Sequence, residues 1–393
     1  MTTMRVGDIA DQIRGVTYSR GESRDEPQPG YVPLLRAGNI RDDGISLDNL
    51  TYVPTNRVSA QQMLLPNDVL IAASSGSLSV VGKAARVLGT VDATFGAFCK
   101  VLRLRANVDP GYFAHYFRTR GYRRYISSVA AGANINNLRS EDLDRIEIPL
   151  PPLPEQRRIA AILDEADALR RARLRSMDSM TELPARIFAA FDTHDWHKAT
   201  VGEIAELQGG LTINRRREAL PLKASYLRVA NVLRGAIDTT ELKSLGVTEA
   251  ELARTRIRIG DVLMVEGHGN ASEVGRAAFV ENLPTPSLTH QNHLFRLRPK
   301  GARVLGRFLE LALNSSHSRE YLGRTSNTTS GLNTLNATNV RALPLRIAPP
   351  EIQHEIVAMV DQVRASEHRA VRATAELDAL FASLEHRAFR GKL

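Results

Sequence analysis

A chain that repeats itself once can only fold as two copies of one plan, and this chain does so. Val6-Gly-Asp-Ile-Ala10 returns as Val201-Gly-Glu-Ile-Ala205, 195 residues later. Arg36-Ala-Gly-Asn39 returns as Arg228-Val-Ala-Asn231 at an offset of 192, and Asp68-Val-Leu70 as Asp261-Val-Leu263 at 193. Val81-Gly-Lys-Ala-Ala-Arg-Val87 returns as Val274-Gly-Arg-Ala-Ala-Phe-Val280, again at 193. Arg103-Leu-Arg105 is matched to Arg296-Leu-Arg298 at the same offset. Gln156, Ile159 and Asp164 reappear as Gln353, Ile356 and Asp361, all at 197. Matches in one order with a nearly constant offset describe a tandem duplication with small loop insertions.

Each copy has the same internal grammar. About 150 residues broken by Gly, Pro, Asn and Asp carry short β-branched runs such as Asp68-Val-Leu-Ile71 and Val101-Leu-Arg-Leu104, which predict strands joined by loops. An aromatic helix is expected around Tyr112–Phe117. A Pro-rich hinge, Ile148–Pro154, then leads into a long helical pattern, with Pro154 tolerated in the first turn and Glu155 suited to the positive helix start. Ala348-Pro-Pro350 and Glu351 repeat the arrangement. The expected domains are therefore 1–149, a helix over 150–194, a second globular domain over 195–345 and a distal helix over 346–393.

Both helical segments carry heptads. In the first, one stripe runs Ile159, Ala166, Arg173, Met180, Ile187 and the other Ile162, Leu169, Ser176, Leu183, Ala190. In the second, the stripes are Ile356, Val363, Ala370, Leu377, Leu384 and Met359, Ser366, Ala373, Leu380, Arg387. Matched stripes favour the two helices packing on each other as a coiled coil, against the alternative that each packs only on its own globular domain. The fold class expected is α+β: two similar α/β domains joined by two long helices with pseudo-twofold symmetry. Pro184 should end or kink the first helix near Leu183. From Glu155 to Leu183 such a helix rises roughly 44 Å, a little more than the ~34–36 Å of one DNA turn.

Composition narrows the partner. Lys and Arg total 52 against 43 Asp and Glu, a net charge of +9, and only seven of the basic residues are Lys. Arg offers a rigid fork of donors suited to phosphates and guanine edges. Codon usage gives the same bias, so the charge alone decides nothing. It does put a polyanion, nucleic acid first, among the partners. No run of 18 apolar residues occurs, no signal core opens the chain, and the single cysteine, Cys99, fits a reducing cytoplasm.

A search for chemistry finds none. Gly76–Lys83 approaches a phosphate-binding loop but has five residues between its glycines and Ala84 where Ser or Thr would hold magnesium. Adenine methylation would need an Asn-Pro-Pro-aromatic motif and a Gly-rich cofactor loop. Thr94-Phe-Gly-Ala-Phe98 has a single glycine. His290-Gln-Asn-His293 lacks further ligands at metal spacing. The chain is expected to be no enzyme, with no catalytic residue, no metal and no cofactor of its own.

Leu150-Pro-Pro-Leu-Pro-Glu-Gln-Arg-Arg-Ile-Ala-Ala-Ile-Leu-Asp164 resembles the spacer of specificity (S) subunits of type I restriction–modification enzymes, and Leu377–Leu384 through Arg387–Leu393 resembles their distal region. The second copy departs from the pattern, since Pro350-Glu351-Ile352-Gln353 lacks the intervening Leu-Pro. The resemblance implies a DNA reader whose two target-recognition domains each read half of a split double-stranded target. It implies helices that pair as an antiparallel coiled coil, set the unread gap and dock adenine methyltransferase (modification) subunits, two of them, with restriction subunits carrying translocase and nuclease activity. S-adenosylmethionine, ATP and Mg would then belong to those partners. The alternative is a non-enzymatic coiled-coil scaffold whose globular domains bind protein.

Base reading needs polar side chains on loops or helices that enter a groove. The candidates in the first copy are Arg36, Asn39, Ser75, Ser77, Lys83, Asn134, Asn136 and Asn137. In the second they are Arg215, Arg216, Arg228, Asn231, His268, Asn270, Arg276, His290, Asn292 and Asn333. Lys83 and Arg276 are equivalent, which suits a shared phosphate contact. Candidate helix-interface residues are Ile159, Ile162, Leu169, Met180, Leu183, Ile356, Val363, Leu377, Leu380 and Leu384.

Overall fold

The computed structural model describes residues 2–42, 44–105, 107–130, 137–192, 195–329 and 331–393. The chain divides into two compact units, Met1–Ser176 with Val371–Leu393, and Met177–Ala370. Each mixes helix and sheet.

In the first unit four antiparallel strands lie in the order Ala10–Arg14, Cys99–Leu104, Val69–Ala72, Ala84–Arg86. Val69–Ala72 is buried throughout, because the sheet is covered on both faces. Val69, Ile71 and Leu102 pack against Tyr112, Phe113 and Phe117 of the helical side. Leu70, Ala72, Cys99 and Val101 pack against Leu35, Ile40 and Phe95 on the other. There a three-stranded sheet sets Tyr31–Leu35 between Thr51–Pro54, antiparallel, and Thr94–Phe95, parallel. Thr2–Arg5 pairs with Glu147–Leu150, bringing the chain out beside its entry point and into the first long helix, Leu153–Phe191.

The second unit repeats this plan. Its four-stranded order is Ala205–Gly209, Leu294–Pro299, Val262–Val265, Ala277–Phe279. Val262, Met264 and Leu297 face Phe308 and Leu309, while Leu263, Val265 and Leu294 face Leu227 and Val232. His197–Thr200 pairs with Pro344–Ile347 ahead of the second long helix, Pro350–Ala388.

The ladders correct one detail of the repeat. Arg103 grips Asp68 through Nε and Nη2 at 2.9 and 2.7 Å, and Arg298 grips Asp261 likewise at 2.7 and 2.8 Å. The counterpart of Arg103 is thus Arg298, at an offset of 195, not Arg296. The loop that follows Ala84–Arg86 and precedes Thr94–Phe95 is two residues longer in the second copy, between Ala277–Phe279 and Leu288–His290, which shifts the central strand after it. Arg296 stands where Val101 does, buried and donating to the carbonyls of Arg254 and Arg256 and to Glu206.

Two expectations for the long helices also change. The first helix runs on through Pro184 to Phe191. The missing donor costs a single hydrogen bond, and Phe188 beyond it is anchored in the core of the second unit. In the first stripe of each helix Ile159 and Ile356 are buried and Met180, Val363, Leu377 and Leu384 are half-buried. The second stripe is displaced by one residue. Leu163, Val360, Thr374 and Phe381 are buried, whereas Leu169, Leu183, Met359 and Leu380 face solvent, Leu169 at 59% and Leu380 at 54% exposure. Ile162 is half-buried. The inward positions follow the first stripe by four residues rather than three, so the outward leucines are not seam residues.

Within the first unit, Ile159, Ala160 and Leu163 share a core with Phe381 and Ala388. Arg170 meets Asp378, and Arg158 donates to the Leu393 carbonyl. These contacts join the two helical segments in opposite chain directions. Within the second unit, Phe188, Ile356 and Val360 share a core, and Thr181 donates to Glu367. Among the described residues no helix is long and apolar enough to cross a membrane.

Candidate nucleic-acid interface

In each unit, the loop leaving the strand before the central one meets the turn that enters the central strand. In the first, the Phe98 carbonyl accepts the amides of Ala73 and Ser74 at 2.8 and 3.0 Å, and the Ala73 carbonyl accepts the amide of Leu138 at 2.8 Å. In the second, the His293 carbonyl accepts the Glu266 amide at 2.9 Å, and the Glu266 carbonyl accepts the amide of Leu335 at 2.8 Å. Behind both, the backbone passes close under a carbonyl. A β-carbon on Gly15 would lie 2.1 Å from the Gly96 oxygen, and one on Gly210 would lie 2.2 Å from that of Gln291. Only glycine fits there. Platform and packing are duplicated; the side chains standing on it are not.

On the first platform Arg36, Arg41, Ser74, Ser75 and Phe98 line a cavity of about 750 Å³. Ser74 bridges to Asn137, which is exposed. Asn134 and Asn136 lie outside the described residues. Ser77 is exposed, with its hydroxyl 2.8 Å from that of Ser79. On the second platform His268 pairs with Asn333, whose Nδ2 donates to the Gly269 carbonyl at 3.2 Å. Asn270 is exposed, accepts the Ser272 amide and donates its own amide to His268 Nδ1. His293 Nδ1 lies 2.9 Å from Glu266 Oε2. Asn292 is half-buried. Arg228 is drawn toward Glu241 at 3.4 Å, while Arg215 and Arg216 are exposed on a short turn.

Several candidates are structural instead. Asn39 and Asn231 are buried, and each accepts the amide three residues before it, of Arg36 or Arg228. Each also donates Nδ2 to two loop carbonyls, those of Ser46 and Asp48 or of Asp238 and Glu241. Buried, and with both Nδ2 hydrogens and one Oδ1 lone pair engaged, neither side chain is free for a base. Arg276 is buried, bound to Glu273 and to the carbonyls of Val229 and Val232, so the shared phosphate contact with Lys83 fails. Lys83 pairs with Asp42 at 3.1 Å. His290 is fully buried, and desolvation pushes its imidazole down to about 4, leaving it neutral and beyond the reach of DNA. The glycine of the near-phosphate loop, Gly82, has φ +74° and packs on Ile126, as Gly275 (φ +79°) does on Leu322.

The sequence reading missed Phe98 and Glu266. Phe98 is 69% exposed, the highest value among the large exposed apolar residues described. Its signal was its position beside the Ser74–Ser77 loop, which becomes visible only once the ladders are known. Among the described residues no group of three or more His, Cys, Asp or Glu is placed to hold a metal ion.

Comparison with known proteins agrees with this architecture. The family described as Type I restriction modification DNA specificity domain matches residues 1–175 and 193–376, one match per repeat. The StySPI type I restriction enzyme specificity subunit of Salmonella potsdam is 32% identical over the whole chain, covering 89% of that protein. The EcoKI specificity subunit of Escherichia coli strain K12 is 32% identical over 99% of the chain and 88% of its own length. The fold is also found in the S subunit crystal structure from M. genitalium, with TM-score 0.52, 15% identity and coverage of 99% and 96%. A chain from a study of type I R-M complex assembly and conformational transition gives TM-score 0.57 at 18% identity, covering 100% and 98%. None of these relatives supports the scaffold alternative. With two family matches lying on two copies of one platform, the chain belongs to the type I restriction–modification DNA specificity family.

Proposed function

We propose that this chain is the DNA-specificity subunit of a type I restriction–modification system, each globular unit reading one half of a bipartite duplex target. The observation that carries the reading is the duplicated platform: equivalent amides, of Ala73 and Glu266, bond the carbonyls of Phe98 and His293, with different side chains presented around them. Two readers of one design but different chemistry suit two half-sites of different sequence.

The long helices pair as an antiparallel coiled coil that fixes the unread gap. The opposite-direction contacts of Arg170 with Asp378 and of Arg158 with Leu393 support this. The outward leucines of the same helices, with Met359, suit a docking face for two modification subunits. Those partners carry S-adenosylmethionine and methylate adenine. Restriction subunits, with ATP and Mg, join the same assembly. The chain itself recognises and performs no chemistry, and it works in the cytoplasm.

Binding of the chain with its modification subunits to a defined duplex tests the reading. Sequence-preferring binding that weakens steeply with salt, as released counterions require, is the expected result. Binding without sequence preference overturns it.

A further inference from the structure

Phe98 and His293 occupy one structural position. Both lie at the turn into the central strand, at the offset of 195 that relates Arg103 to Arg298, and both carbonyls are fixed by the same amide row. Four residues differ here between the copies, Phe95-Gly-Ala-Phe98 against His290-Gln-Asn-His293, and Phe95 and His290 point into the core. The fourth carries a ring in both copies and has its carbonyl held by the amide of Ala73 or Glu266.

Scattered exposed apolar residues need no explanation. Phe98 differs because two hydrogen bonds immobilise its backbone and because its ring borders a cavity whose lining includes Arg36, Arg41, Ser74 and Ser75 as well as Asp48 and Asn49. An apolar ring held rigidly beside polar side chains matches a thymine, whose C5-methyl projects into the major groove beside hydrogen-bonding edges. His293 offers the complementary chemistry. His293 Nδ1 lies 2.9 Å from Glu266 Oε2, and the tautomer that donates Nδ1–H to this carboxylate leaves Nε2 as an acceptor on a side chain that is 41% exposed. The bases that offer a major-groove donor are cytosine, through its N4 amino group, and adenine, through N6.

Resting on the specificity-subunit reading, we propose that Phe98 and His293 are equivalent specificity-determining residues, Phe98 contacting a thymine methyl in one half-site and His293 accepting from a base amino group in the other.

The test uses the assembly with its modification subunits and selects bound duplexes from a library randomised over both half-sites. The wild type returns a two-part motif. Phe98→Ala relaxes one thymine position by roughly 5- to 50-fold and leaves the other half-site unchanged. Replacing that thymine by uracil, which lacks only the methyl, weakens wild-type binding but not binding by Phe98→Ala. Phe98→Leu, which keeps an apolar contact, retains part of the preference. His293→Ala relaxes one cytosine or adenine position in the opposite half-site alone. Equal binding of thymine and uracil by the wild type, or a uniform loss over all sequences in either alanine variant, overturns the proposal. Absence of any two-part motif in the wild type instead overturns the specificity-subunit reading beneath it.

Discussion

Gln156 Oε1 accepts the amide N–H of Asp109 at 3.0 Å, tying the first turn of the long helix to the start of the aromatic helix. Its Nε2 donates to the Pro151 carbonyl at 2.8 Å. Gln353 repeats both bonds, to the amide of Leu305 at 2.9 Å and the carbonyl of Ala348 at 2.8 Å. Both side chains are buried. The glutamine of the Pro-Glu-Gln block is therefore a joint between globular unit and helix, and the degenerate second hinge keeps it.

Gln156→Leu strands a donor and an acceptor in the core. Unfolding by urea should show a loss of about 1–3 kcal/mol. Gln353→Leu should cost a similar amount. An unchanged midpoint for both would remove the joint.

The Arg103–Asp68 and Arg298–Asp261 pairs should behave as copies. Asp68 and Asp261 have nearly inaccessible carboxylates that also accept the amides of Leu65 and Arg258. Asp68→Ala should destabilise by about 3–5 kcal/mol, since it leaves a partly buried guanidinium unpaired. Asp261→Ala should do the same. A double-mutant cycle with Arg103→Met should recover much of the loss in the first pair.

The displaced heptad stripe makes neighbouring residues respond differently. Phe381→Ala empties a core position and should cost about 3–5 kcal/mol. Leu380→Gln should change stability by no more than about 0.5 kcal/mol. Thermal unfolding of the two variants separates the registers, because the stripe expected from sequence predicts a large loss at Leu380.

Burial pushes the Glu385 carboxyl up to about 7, opposed by the guanidinium of Arg118 and reinforced by Asp167, with Arg170 and Arg120 also opposing. The folded state therefore holds this proton more tightly than the unfolded chain does. Its stabilising contribution is whole below about 4.5, the ordinary value, and is lost as pH rises to about 7. Glu385→Gln should flatten that slope, so the variant gains stability relative to wild type between pH 5 and pH 8. Parallel pH curves for the two proteins would contradict the shift.

Much of the architecture was legible because duplication leaves its mark in spacing. Asp68 and Asp261, the paired glutamines and the first heptad stripe all followed from offsets. What escaped depends on geometry that spacing does not encode. Arg103 was aligned with Arg296 because two added loop residues are invisible when short Arg-Leu-Arg matches offer a second register. Leucine is a poor guide to which helix face is inward, as Leu169 and Leu380 show. Asn39 and Asn231 have the chemistry of base readers, yet both are buried and spend it on local backbone groups. Phe98 drew attention only within a rejected cofactor loop, and its exposure is a property of the tertiary structure.

If, as proposed, paired helices set the stride between two readers, lengthening both helices must lengthen the gap. One heptad inserted into each long helix, after Ser176 and after Ala370, adds about 10 Å, roughly three base pairs at ~3.4 Å each. Selection of bound duplexes by this variant and by the wild type, each with its modification subunits, measures the stride directly. The account predicts unchanged half-sites separated by a longer gap. Altered half-sites with the gap unchanged would contradict it.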